Sequence, residues 1–370
     1  MNPPPASGSV LAKPSVKNPP AEQEQLGFDA DAFAAELDAL RDGVLSDLGA
    51  ADADYIRGLV RRQRRIELAG RAVLMAGSAR PLWFLGTGLL GLSKILENMT
   101  GHNVMHGQWD WMRDPDIHST TWDWDIVCTS KQWKHTHNHM HHQWTNVRGR
   151  DSDIGHGVLR VDPEQPWKPS MLVQPLTLLG LALVFEFGVA LHVAPNRSAD
   201  GPAPSQPDSE RMAEFAEKLR RQVVKDYLAW PLLSLPFGAS GVVSSLSGAF
   251  VANIVRNVWA AAVIFCGHFP DGARIFDPEE VDGESRGEWY RRQVLGSVNF
   301  TGGPVMDVLS GDLDHQVEHH LFPDLPSNRY AGLEPRVREV CARHGVAYNS
   351  RSFLHQLGSV VRKVCRLALP

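Results

Sequence analysis

Half of the 16 histidines in this chain lie between His102 and His142, a stretch that reads GHNVMHGQ at one end and KHTHNHMHHQWTN at the other. A second group lies far downstream in DHQVEHHLFP, Asp314 to Pro323. His102 and His106 are spaced i, i+4, which puts them on one face of a helix. His137 and His141 repeat that spacing with His142 beside them, and His319 and His320 are adjacent, just after Gln316. A single histidine is most often a packed or surface residue. Repeated pairs are different. Protonated rings held together repel, whereas neutral rings held together are accounted for by a metal, and imidazole suits Fe, Zn, Cu and Ni alike.

Composition narrows the class. A net charge of −5 gives no electrostatic basis for binding nucleic acid, so no nucleic-acid partner is expected. The four cysteines, Cys128, Cys266, Cys341 and Cys365, are scattered without a CxxC pair. That argues against a disulfide framework or a thiolate zinc site and fits a reducing environment. The chain has no Ser-His-Asp motif, no Walker loop and no dinucleotide GxGxxG fingerprint. Residues 1–27 are rich in Pro, Ala and Ser, lack the apolar core of a signal peptide, and are expected to form a disordered leader. From Phe28 the spacing of Phe33, Leu37, Leu40, Val44 and Leu48 predicts an amphipathic helix capped by Asp29 or Asp31, with a second helix after Gly49. Residues 28–65 are therefore expected to be amphipathic helices on the surface of a main unit, 66–370.

RRQRR, Arg61 to Arg65, precedes an apolar region from Ile66 to Met99, and a basic cluster beside such a region marks the cytoplasmic side. A crossing takes about 20 residues. The 34 residues here, split near Arg80-Pro81, predict a hairpin of two tight crossings, against which Arg71, Lys94 and Glu97 weigh. His102 and His106 then stand just outside the bilayer. Six of the 11 tryptophans lie between Trp109 and Trp144, which fits a membrane interface or a Trp-rich soluble core. Met171 to Ala194 is another apolar run, Asn196 to Ser209 reads as a loop, and Glu210 to Lys225 as a basic amphipathic helix. Tyr227 to His268 is long enough for a second hairpin.

For His319 and His320 to join the earlier histidines, the chain must cross an even number of times after His142. Met171 to Ala194, which contains Glu186 and His192, is thus predicted to lie in the interface or re-enter rather than span. Tyr227 to His268 is predicted to be the true hairpin, with Arg256 facing the bundle interior in an ion pair. The expected architecture is an all-α integral membrane protein of the cell inner membrane. It has about four transmembrane helices in two hairpins, and a helical cap after Phe269 that carries a histidine-rich di-metal site on the cytoplasmic side.

The words HNVMH, HNHMHH and QVEHH, in this order, with HHQWTN after the second and QVEHHLFP around the third, resemble the histidine boxes of the membrane fatty acid desaturases. The resemblance runs from about Gln63 to the C-terminus. It implies a non-haem di-iron site, two Fe ions held almost entirely by imidazoles. The matching positions are His102 and His106, then His137, His141 and His142, then His319 and His320. His268, in FCGHFP, stands where the family supplies a ligand at the end of the last crossing. Gln316 opens the third box in place of a histidine and is an oxygen-ligand candidate, with His315 beside it as a substitute. His135 and His139 are surplus to the second box. Glu318, Asp314, Asp151 and Asp153 are candidates to accept the other ring N–H of the ligands.

The resemblance also implies the reaction. A long-chain fatty acyl substrate, carried on CoA or in a membrane lipid, gains a double bond while O2 is reduced to water. No catalytic residue beyond the metal ligands and no organic cofactor is called for. No electron-transfer domain is recognisable at either end, so the remaining two electrons are expected from a ferredoxin- or rubredoxin-type donor with its reductase. A hydroxylase, ketolase or epoxidase on the same scaffold is the nearest alternative. A non-catalytic membrane metal-binding protein is a more distant one, because its ligands belong at mid-membrane.

Overall fold

The computed structural model describes residues 28–77, 79–193 and 207–370. The leader expected at 1–27, and all but the last residues of the loop expected at Asn196 to Ser209, lie outside them. The Asp29 carboxylate accepts from the Ala32 amide at 2.9 Å and starts α1, Ala30–Ser46. Gly49 then caps α2, Ala50–Ala76, which turns back into α3, Arg80–Met105. A helical hairpin stands over 66–99, but its limbs are longer than the apolar run, and neither is apolar enough over its length to qualify alone as the membrane crossing expected there. The division placed at Arg65 falls inside one unbroken helix. Glycines let α2 and α3 approach closely: a Cβ on Gly70 would stand 2.8 Å from the Leu90 amide nitrogen, and one on Gly86 2.8 Å from Leu74 Cγ.

Two further apolar helices, α4 (Gln174–Leu183) and α5 (Phe185–Val193), follow. Together with the turn before them they reach membrane-crossing length, but they meet at 98°. A bend of this size belongs either to a broken crossing or to a re-entrant segment, the second being the arrangement expected for Met171 to Ala194. Just past the bend Glu186 forms an ion pair with Arg256, and its amide donates to Asn257 Oδ1 at 3.3 Å.

Helix α6, Asp208–Val224, continues without a break through a π-helical turn, Lys225–Ala229, and a last turn, Trp230–Leu233. The chain reverses at Gly238, whose φ of +82° suits glycine. It returns as the 31-residue α7, Gly238–His268. The hairpin expected over Tyr227 to His268 is therefore lopsided. Its first limb is mostly the amphipathic α6, because no residue between Asp208 and Ala229 breaks a helix. Among the described residues, Leu235–His268 is the one continuous helical stretch long and apolar enough to cross a bilayer unaided.

The charges that weighed against a membrane hairpin lie inside it. Asp226, at 3 % exposure, accepts from Arg71 at 2.8 Å and from Lys94 at 2.7 Å. Lys94 also reaches Asp125 at 3.2 Å, and Arg256 donates to the Asp125 carbonyl at 3.0 Å. The outer faces stay apolar, with Phe84, Leu85, Val243 and Phe250 exposed.

The remainder forms a helical layer over this bundle: α8 (Arg286–Gly296), α9 (Gln316–Leu321), α10 (Tyr330–Arg343) and α11 (Phe353–Leu367). Short parallel strands β1 (Asn299–Thr301) and β2 (Ser350–Ser352) clamp it, with Phe300 opposite Arg351. Helix α1 packs here through Phe33 and Leu37 against Tyr290, Phe322, Tyr330 and Leu333. Trp109, Trp124 and Trp133 are buried at 0, 4 and 5 % exposure, so this part of the Trp-rich stretch builds a core rather than an interface.

Removing one member of a buried charge group leaves its partners desolvated and unpaired, a cost of about 3–5 kcal/mol. Asp226→Ala is expected to lower stability by about that amount, read as an earlier thermal midpoint of the purified protein. An unchanged midpoint would contradict the pairing.

Candidate metal centre

Lys134–His141 winds as a π-helix between one α-turn at Ser130–Trp133 and another at His142–Trp144. Such winding is rare and collects at functional sites. Here it brings three rings of one word together. The centroids lie 5.0 Å apart for His137 and His141, 4.9 Å for His137 and His142, and 5.5 Å for His141 and His142. His102 stands in the last turn of α3 and His106 caps it, centroids 4.8 Å apart. His268 is the last residue of α7, and α9 carries His319 and His320.

These elements converge. One ring nitrogen from each of His102, His106, His137 and His319 lies within 4.8 Å of the others, and His141, His268 and His320 form a second such group. His142 touches both, at 4.6 Å from His106, 4.8 Å from His319 and 4.4 Å from His320. The Gln316 carboxamide lies 3.0 Å from His268 Nε2. All nine side chains singled out by the sequence are thus gathered in one place. His141, His142, His268, His319 and His320 are each 5 % exposed or less.

A packed histidine core would satisfy its polar atoms, and this one does not. His106 Nε2, His137 Nε2, His141 Nε2, both nitrogens of His142, His268 Nδ1 and His320 Nε2 are buried without a hydrogen-bond partner. Each such atom costs about 1–3 kcal/mol. Unpartnered imidazole nitrogens on rings packed this closely are a donor set that fits metal ions.

The opposite ring nitrogens are held. His141 Nδ1 lies 3.0 Å from Asp151, and His320 Nδ1 lies 3.1 Å from both Gln293 Oε1 and Thr145 Oγ1. His137 Nδ1 is 3.6 Å from Asp153. A partner on one nitrogen fixes the ring's orientation and leaves the other free.

Of the four acids expected in this role, two do not take it. Glu318 turns to the far side of α9, where Asn299 Nδ2 and Tyr348 OH donate to it at 2.8 Å each. Asp314 accepts from Ser310 at 2.8 Å. His315 leaves the cluster to pair with Glu334 at 2.9 Å. Burial alone would lower its pKa, but Glu334 and Asp314 outweigh this and push it up to about 9, so it stays charged and is no substitute for Gln316. His135 and His139 stack on each other at 6.0 Å off the cluster, His135 half-buried and His139 exposed. The sequence reading missed Gln293 and Thr145, uncharged partners from distant segments that no spacing reveals.

Burial, then the neighbouring rings, holds His142, His319 and His320 well below the usual histidine pKa. His141 differs. Burial pulls it down, but the charge and hydrogen bond of Asp151 outweigh burial and leave it raised.

A cavity opens from the cluster. It follows α7 from His268 through Ile264 and Ala260 to Asn257 and Arg256, with Met99, Trp124 and Phe185 on other walls. His156 also lines it, held by a left-handed backbone (φ +48°) among Phe185, Phe265 and His192. No motif marked that residue.

Clustered neutral imidazoles at the head of an apolar cavity define the class of histidine-rich oxidoreductases that act on long hydrocarbon chains. The chain belongs to the fatty acid desaturase family: the family model of that description matches residues 78–352, which hold every histidine of both groups. It is 48 % identical over 344 residues to the NADPH-dependent stearoyl-CoA 9-desaturase of Mycobacterium tuberculosis, covering 92 % of this chain and 81 % of that protein. It is 28 % identical over 287 residues to the sn-1 linoleoyl-lipid 6-desaturase of Synechocystis, covering 75 % and 77 %.

Metal must displace protons only from rings that carry them. His141 is the raised member, so metal affinity of the metal-free protein should fall by about tenfold per pH unit below the His141 pKa, the slope of a single proton. Asp151→Asn should weaken binding about 10–100-fold and move the onset of the fall to lower pH. Titration with Co2+ followed by its absorption bands checks both. A slope of several protons, or an onset unmoved by the substitution, contradicts this account.

Proposed function

We propose that the cluster is a non-haem di-iron centre serving an O2-dependent fatty acyl desaturase. His102, His106, His137 and His319 would hold one ion, and His141, His268 and His320, with Gln316 as an oxygen donor, the other. His142, in contact with both groups, completes the set. The bound iron pair supplies O2 activation and removal of hydrogen from an unactivated carbon chain. The protein's own part is to hold the chain and to exclude water. The cavity along α7 carries this reading, because an acyl chain entering it lies beside the rings and ends at the Arg256–Glu186 pair. A saturated long-chain acyl-CoA is the proposed substrate, by analogy with the mycobacterial relative.

The balance is simple. The CH2–CH2 unit gives two electrons and two protons, O2 becomes two waters, and two more electrons with two protons come from outside. A separate ferredoxin- or rubredoxin-type carrier with its reductase is the proposed source, and the relative's NADPH dependence agrees with such a reductase.

The α2–α3 hairpin, and α7 with the short apolar limb from Tyr227 to Leu233 before it, would supply four crossings of the inner membrane, with the amphipathic α6 on the cytoplasmic side and the bent α4–α5 pair re-entrant. The layer of α8 to α11 then forms a cytoplasmic cap. RRQRR, exposed on α2 at Arg61, Arg62, Arg64 and Arg65, supports that orientation. Residues 66–370 make up the desaturase unit in this scheme, with 28–65 packed on it.

Methyl-ester analysis of cells expressing the chain should show a new fatty acid two hydrogens lighter than its parent. Cells carrying the His141→Ala, His142→Ala double variant should show none. A product heavier by one oxygen would instead assign a hydroxylase.

A further inference from the structure

Helix α11 carries more apolar surface than its neighbours cover. Its inner face buries Gln356, Val360, Val364 and Leu367, and the Val364 carbonyl accepts from Gln174 Nε2 at 2.6 Å, which ties α11 to α4. A second apolar row points outward: Leu354, Val361 and Leu369 are 77, 44 and 60 % exposed, and Cys365 is exposed with them. Leu354, Val361 and Cys365 recur at helical spacing and form one stripe.

Basic residues border that stripe. Arg351, His355, Arg362 and Arg366 are exposed along one edge. Asp271 faces Arg362 and Arg366 at 4.0 and 3.5 Å, yet the two guanidinium groups remain 65 and 61 % exposed. At the far end Trp167 Nε1 donates to the Ala368 carbonyl at 2.9 Å, next to exposed Lys168. The adjoining helix is also bare, with Leu176 and Leu179 of α4 exposed.

We propose that α11 lies in the plane of the membrane, with its stripe in the acyl-chain boundary and Arg351, Arg362 and Arg366 on anionic phospholipid headgroups. An apolar stripe edged by arginines and closed by a tryptophan is the chemistry that boundary selects. Continuity with the bare face of α4 makes the bilayer the occupant, since one lipid surface covers both helices. The inference rests on the membrane reading of α7 and adds an in-plane anchor to it.

Cys365 is the exposed one of the four cysteines, so a thiol spin label attaches to the stripe without substitution. In a Cys365→Ser background, labels at Leu246→Cys on α7 and Glu339→Cys on α10 provide lipid and water references. The full chain is placed in nanodiscs containing phosphatidylglycerol, and each label's relaxation by O2 is compared with that by a water-soluble nickel chelate. O2 should dominate at 365 and 246, and nickel at 339. Arg362→Gln with Arg366→Gln should shift the 365 label toward nickel. Nickel dominance at 365 with O2 dominance at 246 overturns the in-plane anchor alone. Nickel dominance at 246 as well overturns the membrane reading and this inference with it. A 365 label unmoved by the arginine substitutions overturns the headgroup contact.

Discussion

The structure depends on keeping a crowd of imidazoles neutral. Eight rings drawn from α3, the π-helix and its following turn, α7 and α9 sit within contact of one another. Charged rings at these distances would push the elements apart. Burial eases that hazard by favouring the uncharged form in every ring but His141, which Asp151 balances, but it creates another, since neutral nitrogens without partners are costly. The fold resolves this on one side only. Nδ1 of His141 is tied to Asp151 and Nδ1 of His320 to Gln293 and Thr145, while the Nε2 of each ring is left open. A donor set prepared in this way is stable when cations fill it, which links folding to metal supply.

A second buried network lies deeper in the bundle and does a different job. Asp226 binds Arg71 of α2 and Lys94 of α3 and so fastens the two hairpins together. Arg256 of α7 binds Glu186, which stands just past the bend between α4 and α5. The same pair closes the cavity that starts at the histidines. Helix packing and cavity depth therefore share one interaction. Charges that look misplaced in apolar runs are here the cross-links between helices, and the exposed faces remain free for lipid.

Spacing along the chain made the ring-bearing residues legible, because i, i+4 pairs share a helical face whatever the surroundings. It did not disclose the π-helix, which alone brings His142 round to the side of His137 and His141. It placed Asp151 and Asp153 near the rings, but gave Glu318 the wrong side, since adjacent residues on the short α9 face apart. Gln293 carries no charge and comes from a distant segment, and Thr145, though it stands in HHQWTN, serves a ring 175 residues away, so their roles were not legible from spacing. The lopsided α6–α7 hairpin escaped for a related reason. Hydropathy locates apolar residues, whereas a helix runs on until something breaks it, and nothing does before Trp230. Tryptophan clustering misled in the opposite direction, because a residue suited to an interface also packs well in a core.

The position of the rings relative to the helices has an electrostatic logic. Imidazole donors bring no negative charge, so two iron ions in this cluster would keep almost all of theirs. His102 and His106 lie at the C-terminal end of α3, and His268 is the final residue of α7. Each helix end there carries roughly half a negative charge from its unpaired carbonyls. Two long helices aimed at the cluster by their C-termini thus offset part of the cationic charge without adding an anionic ligand. A carboxylate in that role would also bind iron, but it would lower the positive charge that favours taking electrons from a carbon chain. Ending both helices at their histidines supplies the field while leaving the ligands neutral.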